Sequence, residues 1–281
     1  MTETPFFFHN REDRKLFGIL HSPGMAEKKM DGKIAVVYCH PLFEEKLHSH
    51  RIMVQFARFA ASRGIHVFRF DYRGDGESDG LFEQATVSSR IEDILQAVDT
   101  VRDEVDAKNI FLLGLRMGGT LAILAAERTE KVSGVIAWSP VILPGKYNYN
   151  ILRSNLSVQM VLHKKILFNR EQLIEKIKNG ETVNVDGYEL SDPYWAECSR
   201  IDLAGDTHIL KKPLLFVEIS PSLRLGKESQ HFLDGQNQKQ LTRKIVKEQK
   251  FWLQLKTIYP SCIELFSITT DWVNIICTDS G

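Results

Sequence analysis

Short, unbroken apolar runs recur along this chain at a spacing that leaves few architectures open. Ile34 to Cys39, closed by His40-Pro41, and Ile110 to Leu113 are apolar throughout, as expected of strands buried on both faces of a parallel sheet. Leu16 to His21 reads as a short strand ahead of them. Between the two runs, Ile52, Phe56 and Phe59 fall at helical spacing, Gly64 supplies a stop, and His66 to Phe70 reads as the next strand. Ile91, Ile94, Leu95, Val98 and Val105 mark a second helix, and Thr120 to Arg128 a small-residue helix that leads into a strand at Val135 to Trp138. Strand and helix alternating in this way imply right-handed crossovers and a mainly parallel, doubly wound α/β sheet.

After Pro140 the rhythm breaks, and about seventy residues pass before Leu214 to Ile219 offers another strand, far more than a normal loop. The expected organisation is a core of residues 1–140 and 211–281 with a helical cap at 141–210. Within the cap, Ile151 to Phe168 and Glu171 to Lys178 carry helical patterns, and Gly180 to Tyr188 reads as a short hairpin or extended excursion. Leu241, Ile245, Trp252 and Leu255 outline a last long helix, and Ile263 to Phe266 with Val273 to Ile276 read as closing strands. Lys and Arg number 36 and Asp and Glu 36, so nothing electrostatic calls for nucleic acid. The apolar runs are far shorter than the roughly 20 residues of a membrane span. Cys39, Cys198, Cys262 and Cys277 lack paired spacing and no basic-then-apolar leader precedes them, which suggests reduced thiols in a cytoplasm.

The segment Gly114-Leu115-Arg116-Met117-Gly118 joins a strand to a helix through a tight, glycine-flanked turn, the frame of the G-x-S-x-G nucleophile elbow. Its centre is Arg116 rather than serine, and a guanidinium stays protonated and cannot attack a carbonyl. The base is missing as well: no histidine follows His231, which reads as a solvated loop residue ahead of the last helix. Cys39, Ser78, Ser139 and Cys198 are the other conceivable nucleophiles, each better read as strand core, turn hydroxyl or cap residue. The catalytic residues are therefore unknown from the sequence.

The chain resembles α/β-hydrolase-superfamily proteins of the serine-aminopeptidase-like type, and among them the bacterial exosortase-system-associated hydrolases of the second type. The resemblance rests on Cys39-His40-Pro41-Leu42-Phe43-Glu44-Glu45-Lys46 with Ser49-His50-Arg51, on Phe70-Asp71-Tyr72-Arg73-Gly74-Asp75-Gly76-Glu77-Ser78-Asp79-Gly80, and on the elbow. Leu152-Arg153 and Gly187-Tyr188-Glu189-Leu190 add to it in the cap, and it extends from about Phe8 to Leu255. It implies an α/β-hydrolase fold, arginine at the elbow as a trait of the group, and a connection with cell-surface polysaccharide or protein sorting. It also implies that the backbone N–H groups of Leu42 and Met117 occupy the oxyanion-donor positions. No cofactor is expected.

Arg116 sits at a helix N-terminus, where a cation is unfavourable by a few tenths to about 1 kcal/mol, so it calls for a negative partner. Two arrangements stay open. A small anionic or acyl ligand could take a bidentate contact from Arg116 while the Leu42 and Met117 amides complete the cradle, or Glu44, Glu45 or Asp71 could fold against it as a structural plug. His40, Glu44, Glu45, His48 and His50 crowd together, yet their spacing matches no standard zinc pattern and loop bracing before a helix is the expected role. The loop after Asp71 should border the pocket mouth. In the cap, Lys164, Lys165, Arg170, Lys176 and Lys178 stand beside Ile166, Leu167, Phe168, Leu173 and Ile177. These are expected to form a roof, with the apolar side against the core and the lysines solvated, rather than to touch a membrane; a protein partner could dock on the cap.

Overall fold

The computed structural model describes residues 1–24, 34–205, 210–253 and 262–279. Strands β1 (Thr2–His9), β2 (Lys15–Ser22) and β3 (Ile34–Cys39) are followed by α1 (Glu44–Ser62), β4 (Ile65–Phe70), α2 (Val87–Val105), β5 (Asn109–Leu115), α3 (Met117–Ala126) and β6 (Gly134–Trp138). The cap follows, with α4 (Pro144–His163), α5 (Arg170–Lys178), the hairpin β7 (Val183–Val185) and β8 (Tyr188–Leu190), and α6 (Asp192–Arg200). β9 (Leu214–Ile219), α7 (Lys227–Asp234), β10 (Leu241–Val246) and α8 (Ile263–Asp279) complete the described elements. The central sheet has eight strands in the order β1-β2-β4-β3-β5-β6-β9-β10. From β4 to β10 neighbours are parallel, whereas β1 and β2 add antiparallel at one edge.

The five central parallel strands are buried almost end to end because helices cover both faces. α1 and α8 cover one face, where Phe56 packs on Trp138 and Phe266. α2 and α3 cover the other, and every residue of α3 is buried. α2 starts with a capping box in which Thr86 and Ser89 exchange side-chain and main-chain bonds. The β7–β8 turn, Asp186-Gly187, has positive φ at both residues, as a two-residue hairpin of this hand requires.

Several segments differ from the sequence expectation. Leu241–Val246 is an edge strand paired with β9 rather than the start of a helix; Leu241 and Ile245 are four apart by coincidence, and exposed Arg243 and Lys244 protect the edge. Residues 263–279 form one helix, α8, not two strands. Its buried positions Leu265, Phe266, Thr269, Thr270, Trp272 and Val273 recur at three- and four-residue spacing, a periodicity hidden because the apolar runs are only strand-long. α1 begins at Glu44, ahead of the apolar spacing that starts at Ile52, and β1 precedes the first expected strand. α4 covers 144–163, with residues 164–169 forming a loop.

Candidate active-site pocket at the elbow

Between β5 and α3 the chain reverses at Arg116, whose backbone sits at φ 53° and ψ −123°, a region that L-residues occupy only under constraint. The constraint is visible. Arg116 N–H donates to the Trp138 carbonyl at 3.0 Å, and its carbonyl accepts from Gly119, Thr120 and Val141 N–H at 2.9, 3.3 and 3.2 Å. A Cβ at Gly118 would lie 2.0 Å from the Cys39 carbonyl oxygen and 2.6 Å from that of His40, so only glycine lets α3 start this close to the β3 exit. That approach brings the loop carrying Leu42 against the first turn of α3, which carries Met117. Both residues are buried, and among the described residues neither main-chain N–H makes a backbone hydrogen bond.

The Arg116 side chain lies across this turn. Its Nε donates to Glu45 Oε1 at 3.2 Å and its Nη1 to the Ser139 carbonyl at 3.0 Å. The guanidinium carbon stands 5.2 Å from the Trp252 ring centre and 5.9 Å from that of Tyr147. The negative partner is therefore Glu45, in the first turn of α1, and neither Glu44 nor Asp71. Glu44 lies 3.7 Å from His48 one helical turn on, and Asp71 pairs with Lys46 at 2.7 Å. Glu45 Oε2 is buried without a hydrogen bond of good geometry, and burial holds the Glu45 carboxyl above its ordinary range despite the opposing pull of Arg116 and of the nearby Tyr147 hydroxyl. Burial is the strongest influence on the Arg116 guanidinium and works against its charge, but Glu45, Tyr147 and Glu218 together outweigh it and hold its pKa above the ordinary value.

Two cavities meet beside this pair. A polar one of about 300 Å³ is lined by Arg116, Ser139, Lys146, Glu218, Glu228 and Lys250. Within it Lys146 bonds Glu228 at 2.5 Å, and the Ser139 and Ser229 hydroxyls donate to Glu218 at 3.5 and 3.4 Å. Burial raises the Glu218 carboxyl. The second cavity, about 380 Å³, is more apolar and is lined by Phe43, Glu45, Ile151, Val185, Trp252 and Leu253 among others. Tyr147 and Asn150 line both. Phe43 ties the floor to the cap, with its ring 5.6 Å from Tyr188 and 6.1 Å from Tyr194.

The structure does not bring His40 and Asp71 to this site. His40 is buried, Nδ1 donates to the Pro41 carbonyl at 2.8 Å, and the ring lies 4.1 Å from that of Tyr72; burial pushes its pKa well down, so it is a neutral brace. Both residues line a separate cavity of about 90 Å³ with Lys46, His50 and Arg69. Glu44 lines the apolar cavity with His48. Among the described residues no three His, Cys, Asp or Glu side chains converge as a metal set would.

The profile of a family described as "Serine aminopeptidase, S33" matches residues 32–197, more than half of the chain. The chain belongs to this hydrolase family. Monoglyceride lipase of Mus musculus is 40% identical over 91 residues, covering 31% of this chain and 29% of the lipase. Palmitoyl-protein thioesterase ABHD10, mitochondrial, of Homo sapiens is 33% identical over 135 residues, 48% of this chain and 40% of the thioesterase. The matches thus span well under half the length of these relatives. Among solved structures, ferulic acid-bound Est1E from Butyrivibrio proteoclasticus superposes with TM-score 0.68 at 20% identity, covering 98% of each chain. The α/β hydrolase GrgF from Penicillium sp. sh18 does so with TM-score 0.65 at 16% identity, again over 98% of each. At such identities the likeness is one of fold, and the fold is that of the α/β hydrolases.

In this serine aminopeptidase family member the nucleophile position is Arg116, and the described residues after the last strand, where the base of a triad belongs, include Lys250 and Trp252 but no histidine. His231 is exposed on α7 and lines none of these cavities. The other candidate nucleophiles have structural duties. Ser78 donates to the Asp71 carbonyl at 2.7 Å and accepts from Phe17 N–H at 2.9 Å, and Ser139 accepts from Ile219 N–H at 2.9 Å. Cys39 is buried in β3 and burial raises its thiol; Cys198 is buried in α6 and its thiol is pushed up to about 12. Sequence reasoning missed Tyr147, Lys146, Glu218, Lys250 and Trp252; the position of the last two after β10 was the available signal, obscured by the helix expected there.

Proposed function

We propose that this chain is a non-hydrolytic member of its family that binds a small amphiphilic ligand, with an anionic head at Arg116 and an acyl or similar apolar body against Trp252 and Ile151. The observation that carries this reading is a half-buried arginine at the elbow between a polar cavity, where Arg116, Lys146 and Lys250 stand with Glu218 and Glu228, and an apolar one. An anion there would receive charge-assisted bonds from Arg116, with Lys250 offsetting Glu218 in the cavity and Lys146 neutralised by Glu228. The unpaired N–H groups of Leu42 and Met117 would complete its cradle. Glu45 competes for the same guanidinium, so ligand binding displaces it or leaves it protonated, which its raised carboxyl favours. Hydrolysis fails for want of a nucleophile at Arg116 and of a base after β10.

A second reading, turnover of acyl esters or thioesters through a nucleophile other than Arg116, draws on the lipase and thioesterase relatives and on the retained donor pair. The motif resemblance supports a setting in a bacterial system for cell-surface polysaccharide or protein sorting. The four free cysteines, three of them buried, fit the reducing cytoplasm; no described helix is long and apolar enough to cross a membrane. The test is calorimetric titration of decanoate and decyl phosphate into the protein and its Arg116→Ala variant, beside an assay of acyl ester and thioester turnover. Binding weakened tenfold or more in the variant, with no turnover by either protein, is the expected result. Equal affinities would refute the anion site, and turnover by the unaltered protein would establish the second reading.

A further inference from the structure

The cap presents a surface that the rest of the fold does not explain. α4 buries Pro144, Asn148, Leu152 and Gln159 against the body, but beyond Gln159 the chain stands clear of it. Seven large apolar residues between Val158 and Phe168 are exposed, including Val161 at 69%, Leu162 at 68% and Ile166 at 51%. This overturns half of the roof expected from sequence: Leu173 and Ile177 of α5 face the core, whereas Ile166, Leu167 and Phe168 face outward. The outward loop is held in place. Gln159 Oε1 accepts from Leu167 and Phe168 N–H at 2.6 and 2.9 Å, and its Nε2 donates to the Phe168 carbonyl at 3.0 Å. A buried side chain thus satisfies the loop backbone and leaves the apolar side chains pointing away from the core.

Cations stand among the exposed apolar residues of the tip, whereas the cap's acidic side chains lie further along α4, Asp186 against Ser154 and Glu171 against Tyr149. Between Glu130 and Glu171 the chain carries no Asp or Glu, but it carries Lys131, Lys146, Arg153, Lys164, Lys165 and Arg170, in a protein whose formal net charge is zero. Lys164 and Lys165 sit in the middle of the apolar patch and form no ion pair among the described residues. We infer that the tip formed by residues 158–168 docks on an anionic lipid surface. Val161, Leu162, Ile166 and Phe168 would enter the boundary between head groups and acyl chains, and the two lysines would meet the lipid phosphates. A second copy of the chain fits poorly, because a two-fold contact places each patch on itself and would bring lysines together with no carboxylate of the patch to answer them. The inference rests on the patch alone and stands or falls independently of the ligand reading.

The test is co-sedimentation with vesicles of 1:1 phosphatidylglycerol and phosphatidylcholine, and with phosphatidylcholine alone, at low and physiological salt. The variants are Lys164→Gln with Lys165→Gln, and Val161→Ser with Leu162→Ser; melting curves verify that each remains folded, since all four side chains are exposed. The expected result is partitioning onto the anionic vesicles that weakens with salt, falls about 25-fold in the lysine variant at about fivefold per lysine, and falls in the apolar variant as well. No partitioning by the unaltered protein, or partitioning that both variants retain, would overturn the inference. So would a dimer in sedimentation velocity that the apolar variant abolishes while vesicle binding is absent, since the patch would then be a self-association face.

Discussion

Replacing Arg116 by alanine isolates what the arginine does for the fold, and its cost should depend on pH in a direction the structure dictates. The substitution removes the 3.2 Å bond to Glu45, the 3.0 Å bond to the Ser139 carbonyl and the contacts with the Trp252 and Tyr147 rings. It leaves a Glu45 side chain that is only 13% exposed and already has one oxygen without a hydrogen bond of good geometry. Glu45 can escape by taking a proton. Its carboxyl is raised by burial in the native protein, and loss of Arg116 raises it further. A carboxyl with a folded pKa above its unfolded value near 4.3 binds more protons in the folded state, so stability falls as pH climbs from that value through the folded one. The deficit of the variant is therefore smallest near pH 5, where the lost ring contacts and the Ser139 bond cost about 1–2 kcal/mol. It grows toward pH 8 by no more than about 1.4 kcal/mol per pH unit, the limit for one proton. Between pH 5 and 7 that ceiling is about 2.7 kcal/mol, and the water reaching Glu45 should hold the observed growth to about 1–2 kcal/mol. Urea denaturation of both proteins at pH 5, 6, 7 and 8 measures the difference, and the double variant Arg116→Ala, Glu45→Gln should remove its slope. A deficit that is flat or shrinks with rising pH would refute the reasoning, because Glu45 would then not be the buried partner whose charge Arg116 sustains.

Two further outcomes follow from the same geometry. Gly118→Ala should destabilise by about 3 kcal/mol or more, since its Cβ would fall 2.0 Å from a main-chain oxygen of the β3 exit; Gly226→Ala, whose nearest neighbour is 3.8 Å away, serves as the control in thermal melts, and equal melting temperatures would mean the elbow is not tightly packed. The native protein should show no rapidly reacting thiol toward an aromatic disulfide reagent at pH 7.5, because Cys39, Cys198 and Cys262 are buried and burial pushes the Cys198 and Cys262 thiols up to about 12 and Cys277 to about 11; a fast thiol whose modification blocks the pocket would identify a nucleophile instead.

The alternation of apolar runs and helical periods revealed the central sheet because each parallel strand is wholly buried and each helix faces it on one side. The elbow was equally legible, since its glycines answer a close approach that any such strand-to-helix turn requires. The identity of the arginine's partner was not. Three carboxylates were open to it, and the choice turns on α1 beginning at Glu44, which places Glu45 in the first turn facing the elbow; the apolar spacing that marks a helix only becomes clear at Ile52. Trp252 was lost for a related reason, as Leu241, Ile245, Trp252 and Leu255 lie at helical spacing although the first two belong to an edge strand. His40 and Asp71 show the converse: both stand in conspicuous motifs, yet one braces the β3 exit against Tyr72 and the other anchors Lys46. Composition cannot separate a side chain that serves the backbone from one that serves a pocket.

Arg116 keeps the strained backbone of a nucleophile although it cannot be one. The strain is enforced by three N–H groups bound to its carbonyl, by its own bond to Trp138, and by the contact of Gly118 with the β3 exit, none of which involves the side chain. Loss of serine chemistry therefore need not relax the frame, and the frame in turn still projects whatever side chain it holds into the pocket at the positive end of α3. A guanidinium there adds a cation to a positive dipole, which is unfavourable until an anion arrives. Glu45 supplies that anion from the first turn of α1, where the dipole of its own helix also favours a carboxylate. The pair thus neutralises two helix N-termini at once, but it leaves Glu45 Oε2 without a hydrogen bond of good geometry and keeps the Glu45 carboxyl above its ordinary range. A ligand anion able to satisfy both Arg116 and the free amides would do what Glu45 does only in part, which is the physical ground for treating this plug as exchangeable.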